Sequence, residues 1–369
     1  MTDKRIYQIG LTMINGVGDI LARHLLDELG DAEAVFKESA SALTKIHGIN
    51  NGIVGEIKRA DLLCRAESEL SFVEKNGISI YFYQDSNYPE RLRECPDAPV
   101  LFYFKGSANL DSSHVISVVG TRHATDYGIE QTERLLSDLS NSFPDLLVVS
   151  GLAYGIDICA HRSALKSSLP TVAVLAHGLD RIYPSSHRQT AVDMLHNGGL
   201  LTDFPSGTNP DRQNFIRRNR IVAGLADATV VVESADKGGS LITADMAFSY
   251  GRDVFSFPGR VTDIHSRGCN NLIKQNKAGL ITCADDLITN MRWDVELDTK
   301  RLPMQTQLIF PDNGDDNPIV AYLIKHKEAH INELSVELDL PIQQLSTLLF
   351  ELEMDGRIKS MPGSVYKLT

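Results

Sequence analysis

Between His114 and Cys283 the chain repeats one pattern seven times. The runs are "HVISVVG" (114–120), "LLVVSG" (146–151), "TVAVLAHG" (171–178), "GLLTDF" (199–204), "ATVVVES" (228–234), "DVFSFPG" (253–259) and "GLITC" (279–283). Each is short, apolar and rich in β-branched residues, as strands buried on both faces are. Between them lie segments with helical spacing, such as "DYGIEQTERLLSDLS" and "SLITADMAFSYG". Strands alternating with helices predict an α/β fold, an extended Rossmann-like, doubly wound and mostly parallel sheet. "YFY" (81–83) and "VLFYFKG" (100–106) are expected to extend that sheet.

The flanks read differently. In residues 1–78, "LTMINGVGDILARHLLDELG" gives a helix, a turn at Gly16–Gly18 and a second helix; "ALTKIHGINNGIVGEIKRA" repeats the idea around Gly48. Such a helix-hairpin-helix or SAM-like domain can turn backbone N–H groups toward a phosphate, or can form a bundle that only packs. No basic cluster closely follows either turn, which favours packing. The Rossmann-like domain is expected over 79–290, a linker containing "PDNGDDNP" over 291–317, and a winged-helix-like domain over 318–369, ending in the hairpin "GRIKSMPGSVYKL". A length of 369 residues suits two or three domains.

The formal charge of −12 argues against broad, non-specific nucleic-acid binding but leaves room for a local basic site, since salt screens fields within roughly 8 Å. No apolar run reaches the ~18 residues of a membrane span, and "MTDKRIYQIG" lacks the apolar segment of a secretory signal. Five scattered cysteines without a Cys-x-x-Cys pair suggest reduced thiols and a cytoplasmic location. Neither a metal nor a cofactor is expected: the histidines lack metal-ligand spacing, "VVGTRHATDYG" does not fit Gly-x-Gly-x-x-Gly, and "ADKGGSL" lacks the Walker ending.

Doubly wound sheets bind ligands beyond the carboxyl ends of their strands. There stand Gly120, Thr121 and Arg122, then Gly151, then Lys237, Gly239 and Ser240. Asn214, Phe215, Arg217, Arg218, Asn219 and Arg220 lead into the run at 228. A helix beginning near Arg217 would crowd three arginines at its positive end, a conflict that a bound anion reverses; a helix beginning at Asn209-Pro210 weakens that argument. At least one of the three is expected to be structural, with Arg218 or Arg220 paired to Asp203 or Asp227. Asp157 and His161, four apart, read as a helix cap and a packed histidine, or as an acid and base. Ser240 lacks the Gly-x-Ser-x-Gly elbow of a nucleophile.

Several of these stretches resemble the DNA-processing protein A family, also called Smf: "GTR" (120–122), "SGLAYGIDICAH" (150–161), "GLDRIYP" (178–184), "NFIRRNRIVAGL" (214–225), "GGSLITA" (238–244) and "FPG" (257–259). The resemblance covers about residues 80–285. It implies a homodimeric, non-enzymatic protein that binds single-stranded DNA, protects incoming DNA and loads the RecA recombinase during natural transformation, with single-stranded-DNA-binding protein as a further partner. It places Arg122 and the Arg-Asn-Arg stretch on phosphates and Phe215 or a nearby aromatic against a base. The chain departs from the family at Ile216, usually proline, at Tyr154, commonly basic, at Ala176, usually glycine, and at Gly238, commonly serine. The competing reading is a nucleotide-hydrolysing Rossmann-like enzyme such as a nucleoside-monophosphate phosphoribohydrolase. The tail from Pro318 carries five basic residues against seven acidic ones, and its candidate recognition segment "PIQQLSTLLFELEMDG" has no lysine or arginine. That composition predicts a protein-interaction or regulatory module.

Overall fold

The computed structural model describes residues 3–294, 317–361 and 363–368. Two compact units divide the chain, Met1–Thr299 and Lys300–Thr369. Most of the expected linker, 295–316, lies outside the described residues.

The first unit is built on nine strands: β1 (Ser79–Phe82), β2 (Leu101–Gly106), β3 (Val115–Val119), β4 (Leu147–Ser150), β5 (Thr171–Val174), β6 (Gly198–Thr202), β7 (Ala228–Val231), β8 (Asp253–Ser256) and β9 (Gly279–Leu280). Their order is β1-β2-β6-β5-β4-β3-β7-β8-β9. The seven strands β3–β9 pair in parallel, and β1 and β2 add an antiparallel edge. Alternate residues of the central strands enter opposite cores. Ile116, Val118, Val148 and Val230 meet Leu135, Leu136 and Ala160 from the helices Asp126–Ser142 and Ile156–Lys166. Val115, Leu147, Val149 and Val231 meet Ile221, Val222, Ala244 and Ala247 from the helices Arg212–Gly224 and Gly239–Ser249. Burial on both faces explains why these strands are apolar at nearly every position.

One feature of this order positions the site. From β3 the chain builds β4, β5 and β6 outward on one side, then returns to build β7, β8 and β9 on the other. The crossovers diverge at β3 and β7, which leaves a crevice beyond their carboxyl ends.

The N-terminal helices, including Lys4–Thr12, Asp19–Leu29 and Ala60–Lys75, share a core with Phe82, Leu101 and Tyr103 of the antiparallel edge. Leu21 lies against Gly48, whose φ of +87° suits glycine.

The second unit has helices Pro318–His326, Ile331–Glu337 and Ile342–Met354 and a sheet of order β10-β12-β11, with β10 Glu328–His330, β11 Ile358–Met361 and β12 Val365–Leu368. This is a winged helix. Strand β10 escapes a sequence reading because three residues are too few to show alternation.

Candidate functional site

A cleft of about 610 Å³ opens at the switch point. Its walls are the loop carrying Gly120, Thr121 and Arg122 after β3, Gly151 and Asp157 after β4, Lys237 to Ser240 after β7, and one side of the helix Arg212–Gly224. Two glycines let its walls pack closely. A Cβ on Gly120 would meet the Ile156 side chain at 2.4 Å, and one on Gly151 would meet the Arg218 guanidinium at 2.4 Å.

The helix starts at Arg212 behind Asp211, five residues earlier than Arg217. The arginines therefore do not crowd its positive end, and the expected dipole conflict does not arise. Helical rotation instead sorts the residues by face. Arg212, Phe215, Ile216, Asn219 and Val222 line the cleft.

Arg218 forms its floor at 3% exposure. Its Nη1 donates to the Gly151 carbonyl at 2.8 Å and to the Val174 carbonyl, while its Nε has no hydrogen-bond partner. Burial pushes the guanidinium down to about 10, opposed by the charge of Asp157. A buried cation that borders a cleft and keeps one donor unpaired is a site that an anion completes. Above it the half-buried Phe215 ring lies 5.3 Å from Arg122 Cζ, 5.9 Å from Arg218 Cζ and 6.1 Å from the Tyr183 ring.

Arg217 and Arg220 point elsewhere. Arg220 Nη2 lies 2.6 Å from Asp203 and 3.1 Å from Asp19. Arg217 reaches Asp19 at 3.2 Å and Asp203 at 3.4 Å. Asp227 instead pairs with Arg91 at 2.5 Å. Asn214 donates to the Asn209 carbonyl at 2.9 Å. None of these three predicted site residues lines the cleft; the other ten do.

Among the described residues, Arg122, Arg212 and Lys237 make no ion pair. The helix Gly239–Ser249 starts behind Gly238 without a side-chain cap, and Gly238, Gly239 and Ser240 all border the cleft. Its first N–H groups and positive end favour an anion there. Ser240 Oγ donates to Ser234 Oγ at 2.9 Å. Asp157 does not cap its helix, whose N-cap is Gly155; its carboxylate accepts from Ala153 N at 3.4 Å, and burial raises its pKa against the charges of Arg218 and Arg122. His161 is fully buried beside Thr171 at 2.8 Å and does not line the cleft. No group of three or more His, Cys, Asp or Glu is placed to hold a metal among the described residues.

Sequence reading missed Arg212 and the Tyr183 ring. Asp211 as helix cap would have put Arg212, Phe215, Ile216 and Asn219 in one stripe at 3.6 periodicity. Tyr183 stands in the stretch "GLDRIYP", but only the fold brings that loop to Phe215.

The model of the DNA recombination-mediator protein A family matches residues 79–292, and that of the DprA winged helix domain matches 305–364. The chain belongs to the DNA recombination-mediator protein A family. Protein Smf of Synechocystis is 30% identical over 99% of this chain and 98% of its own length. DNA processing protein DprA of Streptococcus pneumoniae is 39% identical over 57% of this chain and 73% of its own. The X-ray structure of the Streptococcus pneumoniae DprA superposes with a TM-score of 0.65 at 31% identity, covering 78% of this chain and 98% of that one. A Helicobacter pylori DNA processing protein A, described by its single-stranded DNA binding mode, superposes at 0.53 and 28% identity, covering 59% and 96%. No helix among the described residues of this DprA-family chain is long and apolar enough to cross a membrane.

Proposed function

We propose that this chain binds single-stranded DNA in the switch-point cleft, protects incoming DNA and loads RecA during natural transformation. It acts as a cytoplasmic homodimer, with single-stranded-DNA-binding protein as a further partner. The observation that carries the reading is Arg218, a buried cation in the wall of the cleft whose Nε has no hydrogen-bond partner. Arg122, Arg212, Arg218 and Lys237 neutralise phosphates. Gly239, with open space where a Cβ would stand, lets the backbone approach closely; Gly120, Thr121, Gly151, Asn219 and Ser240 complete the walls, and Phe215 stacks on a base. Single strands fit this arrangement better than duplex, because a half-buried ring reaches only bases that are not already stacked in a helix. The family membership and the Helicobacter pylori relative support the same reading.

Oligonucleotide binding across a salt series tests it. Four neutralised phosphates give a slope of log K on log[salt] near −3, at about 0.7 each. Duplex bound as tightly as single strand, or a flat slope, rejects the proposal. The raised carboxyl of Asp157 at the cleft gives the hydrolase reading its one specific support; release of free base from nucleoside monophosphates would establish that chemistry instead.

The winged helix serves as a protein-interaction or regulatory module. On the helix Ile342–Met354, Gln343, Gln344, Glu351 and Glu353 are exposed and no cation is present. A chain ending at Asn290 should keep most of the single-strand affinity; a folded truncation that loses tenfold or more makes the tail a DNA-binding element.

A further inference from the structure

Arg122 borders two hollows at once. It stands at the cleft and also in the wall of a second hollow of about 410 Å³. This second hollow runs between the helices Asp126–Ser142 and Ile156–Lys166, past Ile129, Glu133, Cys159, Arg162 and Lys166. A third hollow, also about 410 Å³, shares Glu133, Ser163 and Lys166 with it and continues along Arg134, Ser137 and Ser140. Through these shared residues the three hollows adjoin in a row that leads away from the cleft. The eleven residues of Ile156–Lys166 prolong it by ~16 Å at 1.5 Å per residue.

The chemistry of this trough matches that of the cleft. Arg162 and Lys166 are exposed and share one side of their helix at i and i+4. Neither makes an ion pair among the described residues; Arg162 Nε makes only a long hydrogen bond, 3.4 Å, to Thr190 Oγ1. Arg134 lies 3.7 Å from Asp138, both largely exposed, a pairing of little strength. Glu133 is the one acid in the two hollows. Small hydroxyl residues, Ser137, Ser140 and Ser163, line the floor. Isolated surface cations are ordinary. Unneutralised cations aligned along one channel, in a chain of net charge −12 and continuous with a cationic cleft, describe a path for a polyanion.

We infer that the strand held in the cleft leaves it over Arg122 and runs along this trough, with Arg162, Lys166 and Arg134 on its phosphates. The inference rests on the single-strand reading of the cleft and lengthens its footprint. Phosphate contacts of this kind are independent of base identity, so the trough adds affinity and length dependence without sequence preference.

Fluorescence anisotropy with oligothymidylates of about six and about twenty nucleotides separates the two claims. The double variant R162A/K166A should bind the long oligonucleotide roughly 10- to 30-fold more weakly at about 0.1 M salt, with the salt slope flatter by about 1.4, two contacts at 0.7 each. Its affinity for the short one should not change. E133Q, which removes the opposing acid, should tighten the long oligonucleotide only. If wild-type protein binds both and R162A/K166A matches it at both lengths, the trough is not the path. Equal weakening at both lengths also overturns the inference, placing these residues in the cleft's own footprint. If wild-type protein binds neither, the cleft reading fails and this inference fails with it.

Discussion

Arg218 and Arg220 are two residues apart on one helix, both buried, and they have opposite surroundings. Arg220 is caged: burial alone would lower its pKa, yet Asp203 and then Asp19 hold it above the ordinary value. Arg218 has the Gly151 and Val174 carbonyls and the charge of Asp157 without an ion pair, too little to offset burial, which pushes it down to about 10. One arginine has its anion built in and ties the helix to Asp19 of the N-terminal helices. The other lacks one and faces a cleft. Where the protein supplies the counter-charge the arginine is structural; where it does not, the site calls for a ligand.

The largest expected effect tests the caged side. Arg220→Ala leaves Asp203, at 1% side-chain exposure, with only a longer contact to Arg217. Stability should fall by about 3 kcal/mol, read as a lower denaturant midpoint. A variant as stable as the parent would mean the cage is dispensable and that Arg220 is free to serve the ligand.

On the cleft side, Phe215→Ala should cost about 1–3 kcal/mol of single-strand affinity with little change in melting temperature. Loss of stability with intact affinity would move Phe215 from the site to the core.

Arg122→Ala and Arg217→Ala sharpen the comparison among exposed arginines. The first should weaken binding roughly fivefold at about 0.1 M salt, on every sequence, and flatten the salt slope by about 0.7. The second, which removes an exposed pair with Asp19 and Asp203, should cost under about 1 kcal/mol of stability and leave the slope unchanged. Reversed slopes would exchange the roles assigned to the two residues.

The smallest effect near neutrality concerns another buried base without a counter-charge. Burial lowers His161 to about 3, far below its ordinary 6.5. Between those values the unfolded chain binds a proton that the folded chain does not, so stability is present above pH 6.5 and is lost progressively as pH falls toward 3. His161→Asn should remove about one proton of uptake from unfolding in that window. An unchanged pH dependence would show that another group carries it.

Much of this protein is legible in its residues taken in order. The β-branched runs announced a parallel sheet because a strand buried on both faces has to be apolar on both. The small residues and cations at strand ends, Gly120 to Arg122 and Lys237 to Ser240, announced where the cleft opens. The charge of the last fifty residues separated the winged helix from the cleft in character. Three things required the tertiary structure. The choice between Arg218 and its neighbours depended on Asp19 and Asp203, carboxylates far away in sequence. Tyr183 came to Phe215 from another loop, and the trough emerged only where two helices, following different strands, lie side by side. Local sequence governs which backbone conformations and buried faces are favourable, because those depend on near neighbours. Counter-charges and grooves arise between segments remote in sequence, and folding alone brings those together.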